Sequence, residues 1–314
     1  MNLDFFTVIS NLISLFAIIA VGYVAARSGV LDEGASHVFS AFLMKITLPC
    51  TIFLSLAQRE YDPAFLHDGL IIIIAGIVVF SFLLYASRYV SAFLKVPQNC
   101  RGVWAFTAAF SNSGFMGFPI ALALFGNEGL ALAVMLNISF NITIYTIGAM
   151  EIMRDNPSHD GQKMNMKAII FSGINISTVL SLIFYFGRIN VPSIMATPMT
   201  YLSNITTPIS MIIIGMALAR TKGSELFKNI HAWTNTLFSL IIYPAGLCFL
   251  LKIFPLSSNP LVSAVLILII AMPSASVTAV ICEMYNGNIN FAAKVMFLQN
   301  LFSVLTIPFI CMLI

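Results

Sequence analysis

The chain has 314 residues, of which 59% are hydrophobic and only 9% are charged, and its formal net charge is +3. A soluble domain carries about a quarter charged residues, so this composition excludes an ordinary water-soluble protein and indicates one that is surrounded by lipid. The small and dispersed positive charge argues against a nucleic-acid-binding protein. The five cysteines lie far apart with no CxxC pattern, so we interpret them as apolar packing residues rather than metal ligands.

Ten stretches are long and apolar enough to cross a bilayer as helices, each of which needs about 20 residues. In chain order, the predicted spans 1 to 10 are 5–26, 38–57, 66–90, 102–125, 129–151, 168–187, 199–219, 232–254, 261–283 and 290–314. None of them alternates like a barrel strand, and lipid excludes open sheet edges. The sequence therefore predicts an all-α polytopic membrane protein with a retained first span rather than a signal peptide.

The basic residues are distributed unevenly over the connections between spans. Eleven lie in the breaks after odd-numbered spans and three in the breaks after even-numbered spans, while Lys45 lies inside span 2. Because positive charge accumulates on the cytoplasmic side, we expect both termini to lie outside the cell membrane. The polar segment 152–167 is then a central cytoplasmic linker between two five-helix halves, 1–151 and 168–314.

The two halves resemble each other weakly at a nearly constant offset. Pro49 and Pro208 lie 159 positions apart in spans 2 and 7, and Met135 and Met296 lie 161 positions apart in spans 5 and 10. Since each half has an odd number of spans, the second half enters the membrane from the opposite side. This pattern predicts a 5+5 inverted repeat, an arrangement common in secondary transporters. The alternative is chance similarity between apolar helices.

Spans 4 and 9 contain mid-span stretches that are rich in Gly, Pro and small polar residues, 111–119 and 272–278. Proline removes a backbone donor and disturbs the helix, so we expect both helices to be broken and to cross each other. Freed backbone groups must be buried or line a wet cavity, and helix N-termini attract anions. The alternative is an ordinary proline kink with small residues for close packing.

These breaks and their neighbours supply the candidate substrate-binding residues. The candidates are Asn112, Ser113, Gly114, Gly117, Pro119, Asn137, Pro273, Ser274, Ser276 and Lys45. Asn137 is interpreted either as a cavity-lining amide or as a contact between helices. Lys45 either attracts an anionic substrate or extends its side chain back to the cytoplasmic interface.

The positions of the acidic residues separate the classes of function. None of the twelve lies at the centre of a predicted span, where a cation or proton exchanger of this architecture would keep a carboxylate. The sequence also lacks paired carboxylates, a nucleophile with a base, or a metal-ligand cluster, so an enzyme ranks last and no cofactor is expected. A carrier of small organic anions is favoured, with a cation-coupled exchanger or symporter as the alternative; Na⁺ or H⁺ coupling stays open.

The whole chain resembles the auxin efflux carrier family, and more closely its prokaryotic, malonate-transporter-like members. The resemblance rests on Leu48-Pro49, on the stretch from Asn112 to Pro119, on the stretch from Ala271 to Ser274 and on the Tyr285-Asn-Gly turn. The stretch from Asn112 to Pro119 is similar to the Asn-Thr-Leu-Val-Met-Gly-Ile-Pro of the plant carriers. Where those carriers have a proline before the asparagine this chain has Ser111, and the long central loop of the plant carriers is reduced to 152–167.

The resemblance implies a ten-helix inverted repeat that works like an elevator. Spans 1, 2, 6 and 7 would form a scaffold and the interface of a homodimer. Spans 3–5 and 8–10 would form the moving transport domain. It also implies that Asn112 and the positions around Pro273 bind substrate, with Asn137 nearby.

Overall fold

The computed structural model describes residues 5–155, 173–220, 228–275, 277–285 and 287–314. Within these residues the chain is helical between short turns and contains no strand beyond one isolated bridge. The α-helices are α1 (Phe5–Arg27), α2 (Glu33–Phe42), α3 (Leu48–Ala57), α4 (Pro63–Phe93), α5 (Gln98–Ala109), α6 (Phe118–Thr143), α7 (Ala149–Met153), α8 (Gly173–Gly187), α9 (Ser193–Asn204), α10 (Thr206–Arg220), α11 (Ile230–Leu237), α12 (Tyr243–Ile253), α13 (Pro260–Ile270), α14 (Thr278–Met284) and α15 (Ile289–Leu313). The wider π-helical pattern is found at Leu43–Thr47, Ser113–Gly117, Ile144–Gly148 and Phe238–Ile242. The all-helical prediction is confirmed.

In the described part of the chain, six helical stretches are long and apolar enough to cross a membrane. They are Gly34–Ala57, Pro63–Phe93, Ser113–Met153, Ser193–Ala219, Ile230–Ile253 and Ile289–Leu313. The stretch Ser113–Met153 has 41 residues, about twice what one crossing needs. It turns at Gly126, where φ is +66°, a conformation that favours glycine. These lengths support a polytopic membrane protein, whereas the ten-span arrangement stays a prediction.

The helices pack in a small number of close pairs. Helix α1 lies along α10, and α3 packs against α8 and α9. Helix α4 packs against α5 and α6, and α15 against α11. The approach of α1 to α10 is close because Gly22 faces the Ile212 backbone and Gly215 faces the Ile19 backbone, where neither leaves room for a side chain.

Helices α5 and α13 lie in the interior of the bundle. Every residue of α5 from Gly102 to Ala109 is buried, and every residue of α13 from Ala264 to Ile270 is buried. A helix that is apolar on all sides must be covered on all sides, and these two helices are shorter than a membrane crossing. They therefore end inside the protein, where their terminal backbone groups need partners.

The connections between helices gather at two ends of the bundle. At the first, here called the Arg59 end, Arg59 after α3 lies 3.6 Å from Glu128 beside the Gly126 turn. At the same end, the backbone N–H of Asp62 donates to the Tyr185 hydroxyl of α8 at 3.1 Å. The connections after predicted spans 2, 4 and 6 thus lie together.

At the opposite end, here called the Arg88 end, buried ionic groups join α4, α5 and α7. The Arg88 guanidinium lies 2.6 Å from Glu151 and 3.5 Å from Asp155, and both carboxylates are buried. The backbone N–H of Gly102 donates to Asp155 at 2.5 Å. A buried charge needs a partner and hydrogen bonds, and this network supplies both.

Candidate functional site

Helical hydrogen bonding stops in the interior at both glycine- and proline-rich stretches. Helix α5 ends at Ala109 and helical structure resumes at Ser113. Between them Phe110 is extended, with φ −106° and ψ 107°. Likewise α13 ends at Ile270, and α14 begins at Thr278. Each interruption leaves backbone donors and acceptors without helical partners.

The two interruptions satisfy each other by hydrogen bonding. The backbone N–H of Asn112 donates to the Pro273 carbonyl at 2.6 Å, and that of Ala275 donates to the Phe110 carbonyl at 2.9 Å. These bonds form an antiparallel bridge between Ser111 and Ser274. Irregular backbone inside a membrane protein requires such partners because lipid offers none.

Aromatic packing holds Phe110 in its extended conformation. Its ring lies 5.0 Å from that of Phe106, 5.9 Å from that of Phe80 and 6.0 Å from that of Phe140, measured between centroids. Gly148 closes the same site, since a Cβ atom there would lie 2.7 Å from the Phe110 ring. The start of the first interruption is therefore fixed by a packed core.

Amide side chains support the second interruption. The backbone N–H of Ser274 donates to Gln299 Oε1, and Gln299 Nε2 donates to Asn235 Oδ1 at 2.7 Å. Asn235 Nδ2 in turn donates to the Trp104 carbonyl at 2.7 Å. Gln299 also donates to the Thr107 carbonyl at 3.3 Å. This buried network ties α15 and α11 to the last turn of α5, whose carbonyls have few helical partners.

Asn112 caps the helical segment that follows the first interruption. Its Oδ1 accepts the backbone N–H of Phe115 at 3.1 Å, as an N-cap residue does. The Ser113 hydroxyl donates to Asn137 Oδ1 at 3.1 Å. Asn112, Ser113 and Asn137 are all buried, so the sequence-predicted amides meet at the start of this segment.

A cavity of about 130 Å³ lies beside the bridge. It is lined by Met44, Ser111, Asn112, Ser113, Gly114, Phe115, Asn137, Phe140, Asn141, Tyr145, Ile174, Asn175, Ala275 and Val277. None of these residues is Asp, Glu, Lys, Arg or His, so the lining offers amides, hydroxyls and backbone groups without a fixed ionic charge. The cavity can therefore hold a polar guest through neutral hydrogen bonds and through the N-terminal end of the segment that begins at Ser113.

The candidate residues divide into three groups. Asn112, Ser113, Gly114 and Asn137 line the cavity. Pro273 and Ser274 are buried beside it and form the bridge, while Gly117 and Pro119 are buried in the following segment. Lys45 is exposed and does not line the cavity, although its neighbour Met44 does. Ser276 lies outside the described residues.

Several lining residues were not candidates from the sequence. Asn175 and Ile174 come from α8, and Tyr145 comes from a π-helical segment. Asn141 Nδ2 donates to Asn175 Oδ1 at 2.8 Å, which joins α6 to α8. A polar amide in an otherwise apolar span was the available signal for Asn175. Three of the π-helical segments contribute to the lining, and such segments are often found at functional sites.

Comparison with known proteins identifies the family. The family model described as "Membrane transport protein", that of the auxin efflux carriers, matches residues 7–311, nearly the whole chain. The chain belongs to this family. The resemblance drawn from the sequence is therefore confirmed, and the protein is a membrane transporter, not an enzyme.

Archaeal and bacterial relatives agree with this assignment. The chain is 27% identical to an uncharacterized transporter of Methanocaldococcus jannaschii, over 92% of this chain and 93% of the relative. It is 24% identical to one of Methanothermobacter thermautotrophicus, over 95% of both chains. It is 23% identical to the uncharacterized transporter YfdV of Escherichia coli, over 88% of both. The likeness thus extends over 88–95% of this membrane transport protein.

Proposed function

We propose that this transporter is a secondary carrier of small organic anions with carboxylate groups. The observation that carries the proposal is the uncharged cavity beside the Ser111–Ser274 bridge, with Asn112 at the start of a helical segment. Amide donors and helix N-termini bind carboxylates without a balancing cation. A mono- or dicarboxylate of the malonate type suits a cavity of this small volume.

The mechanism we propose is alternating access around this site, in an elevator-like movement. A scaffold of α1–α3 and α8–α10 would stay in place, while α4–α7 and α11–α15 carry the substrate. The proposal is supported by the packing, since α1 pairs with α10 and α3 with α8, whereas α4 pairs with α5 and α6. The cavity lies between the two groups, because Met44, Ile174 and Asn175 belong to the first.

The same proposal includes ten spans in a 5+5 inverted repeat. In it the two interrupted helices cross near the bilayer centre. It also includes a homodimer in the cell membrane and termini on its outer side. The support comes from the family resemblance and from the uneven distribution of basic residues.

A cation-coupled exchanger or symporter of the same architecture is the alternative. Three carboxylates of the described residues are buried, and none of them lines the cavity. Glu151 and Asp155 are paired with Arg88, and Asp68 accepts hydrogen bonds from Ser257 and Asn259. This placement favours an anion carrier, with Na⁺ or H⁺ as an optional coupling ion.

Uptake of radiolabelled malonate and other small carboxylates into proteoliposomes tests the proposal. We expect saturable uptake that unlabelled dicarboxylates inhibit and that empty liposomes lack. Imposed Na⁺ or pH gradients, each applied alone, separate a uniporter from a coupled carrier. Uptake of cations with no carboxylate uptake would contradict the proposal and favour the alternative.

A further inference from the structure

A second polar cavity, of about 330 Å³, lies at the Arg59 end. It is lined by Thr51, Leu54, Ser55, Gln58, Arg59, Leu122, Asn127, Leu130, Thr200, Ser203 and Asn204. These residues come from α3, α6 and α9 and the turns that follow α3 and Gly126, so the cavity lies between the proposed scaffold and the proposed transport group. A polar lining between membrane helices is costly unless water or a ligand satisfies it.

Arg59 is held in a defined position at this cavity. The centre of its guanidinium lies 3.9 Å from the centroid of the Phe65 ring, a cation–π contact. Only 23% of its side chain is exposed. A planar guanidinium that is fixed in this way is prepared for two-pronged binding of a carboxylate.

The ion pair of Arg59 is weak enough to be exchanged. Its Nη2 atom lies 3.6 Å from Glu128 Oε1, beyond hydrogen-bond distance, and the Glu128 side chain is 47% exposed. A long and partly exposed ion pair of this kind contributes little to stability. A carboxylate from solution can therefore replace Glu128 at Arg59 without a large loss.

A second arginine adds positive charge beside the first. Arg59 and Gln58 also border a neighbouring cavity of about 580 Å³, which Arg188, Asn190 and the exposed acid Glu60 help to line. The guanidinium of Arg188 lies 4.6 Å from the centroid of the Tyr61 ring. The two arginines together attract anions towards the cavity, and the negative charges of Glu60 and Glu128 partly offset this attraction.

We propose that the Arg59 cavity is a second binding site for carboxylate anions, separate from the site beside the Ser111–Ser274 bridge. A carboxylate is held there by Arg59 and by the neutral donors Gln58, Asn127 and Asn204. The inference rests on the proposed function in naming the carried substrate as the ligand. The site receives that substrate at the Arg59 end, before it reaches the first cavity or after it leaves.

Protection of an introduced thiol tests this site directly. Ser203 lines the cavity, so S203C protein in detergent is treated with a maleimide, and modification at position 203 is followed by mass spectrometry of its peptide. The parent protein controls for the half-buried native thiols Cys50 and Cys311. We expect malonate at ten times its half-protecting concentration to slow modification about tenfold. Chloride at equal ionic strength, which keeps electrostatic screening constant, should not.

Three substitutions, each combined with S203C, distinguish this site from the first cavity. R59Q should raise the half-protecting malonate concentration at least about tenfold, since it removes charge-assisted hydrogen bonds. E128Q should lower it by up to about fivefold, because the competing carboxylate is gone. N112A should leave it unchanged, since Asn112 lines only the other cavity.

Three outcomes would overturn the inference. Protection that survives R59Q but is lost in N112A would place the anion in the first cavity alone. A position 203 that does not react shows a cavity closed to water, and equal protection by chloride shows no carboxylate site. Failure of malonate uptake with Arg59-dependent protection intact would instead count against the proposed carrier function and not against this site.

Discussion

Asn112 makes two hydrogen bonds at the place where the two interrupted helices meet. Its backbone N–H donates to the Pro273 carbonyl, and its side-chain oxygen accepts the backbone N–H of Phe115. The side chain therefore has an orientation fixed by the helix it caps, and its Nδ2 group is the donor end. A fixed amide in the lining of a small cavity is suited to positioning a carboxylate.

Substitution of Asn112 separates binding from folding. We expect N112A to lower the initial rate of malonate uptake at least about tenfold, as loss of a hydrogen bond to a charged group would. N112S retains an N-cap oxygen and should fold normally with reduced uptake. N300A is the matched control, because Asn300 donates to the Met296 carbonyl within its own helix and does not line this cavity. Uptake by N112S equal to that of the unmodified protein would remove Asn112 from the site.

Lys45 is exposed and does not line the cavity. We therefore expect K45M to change the KM for malonate by less than about twofold, since a side chain outside the lining makes no direct contact with the substrate. The measurement is uptake at low and at physiological salt. A large rise in KM at low salt that disappears at high salt would show that Lys45 attracts the substrate.

Asp155 makes stability at the Arg88 end depend on pH. Burial raises the pKa of Asp155 to about 6 from an ordinary 3.8, against the opposing effects of the Gly102 N–H and of Arg88. The folded protein thus binds more protons than the unfolded chain between about pH 4 and 6. The contribution of Asp155 to stability is consequently lost as pH rises through this window.

The variant D155N removes this titration and keeps an oxygen for the Gly102 N–H. We expect its thermal midpoint to rise relative to that of the unmodified protein as the pH increases from 4 to 7. Thermal unfolding in detergent across this range measures the difference, and E60Q, at an exposed acid, is the matched control. A difference that stays constant with pH would contradict the raised pKa.

At the scale of elements, the length of a helix depends on what surrounds it. From Gly102 and Ala264 onwards, helices α5 and α13 are buried on all sides, and both end inside the protein. There the bridge and the Gln299 amide accept or donate the missing hydrogen bonds. Helices α1 and α10 run side by side because Gly22 and Gly215 let their backbones approach. In the first pair, neighbouring groups satisfy the hydrogen bonds that the helices lose where they end. In the second pair, small residues allow the helices to pack closely.

Gly215 offers a test of the close packing. A Cβ atom there would overlap the Ile19 carbonyl oxygen and lie 2.7 Å from the backbone nitrogen of Tyr23. We expect G215A to destabilise the protein by about 1–3 kcal/mol, the usual cost of overpacking. G246A is the control, since no atom lies within 4 Å of a Cβ at this helical position, and it should be neutral or stabilising by up to about 1 kcal/mol. Equal thermal midpoints for both variants would show that α1 and α10 can move apart without a loss of stability.

At the scale of the whole molecule, the connections between helices divide between the Arg59 end and the Arg88 end. Arg59–Glu128 and Asp62–Tyr185 join connections at the first end, and Arg88–Glu151 joins helices at the second. Among the described residues, the basic residues Arg88, Lys95, Arg101 and Arg154 lie at or beside the Arg88 end. From the positive-inside tendency we propose that the Arg88 end lies in the cytoplasm.

Thiols placed at the two ends test this orientation in cells. Gln98 and Ser258 are both exposed, at the Arg88 end and the Arg59 end respectively. We expect S258C to react with a membrane-impermeant maleimide in intact cells, and Q98C to react only after the membrane is opened. The reverse pattern would invert the proposed topology.

The sequence alone determined the class of the protein, because composition decides which solvent surrounds a chain. Fifty-nine per cent hydrophobic residues with few charges required lipid, and the motifs around Asn112 and Pro273 identified the family that the comparisons confirm. The same motifs marked the places where helical structure stops, since proline and glycine act on the local backbone.

Only the tertiary structure decided what those interruptions touch. Asn175 of α8, Tyr145 and Met44 reach the cavity from positions far along the chain or unmarked by any motif. Gln299 and Asn235 support the bridge through hydrogen bonds, and Lys45 lies outside the cavity lining. The reason is physical: local propensity governs where a helix stops, whereas which side chains meet depends on helix packing, which a single apolar sequence leaves largely unspecified.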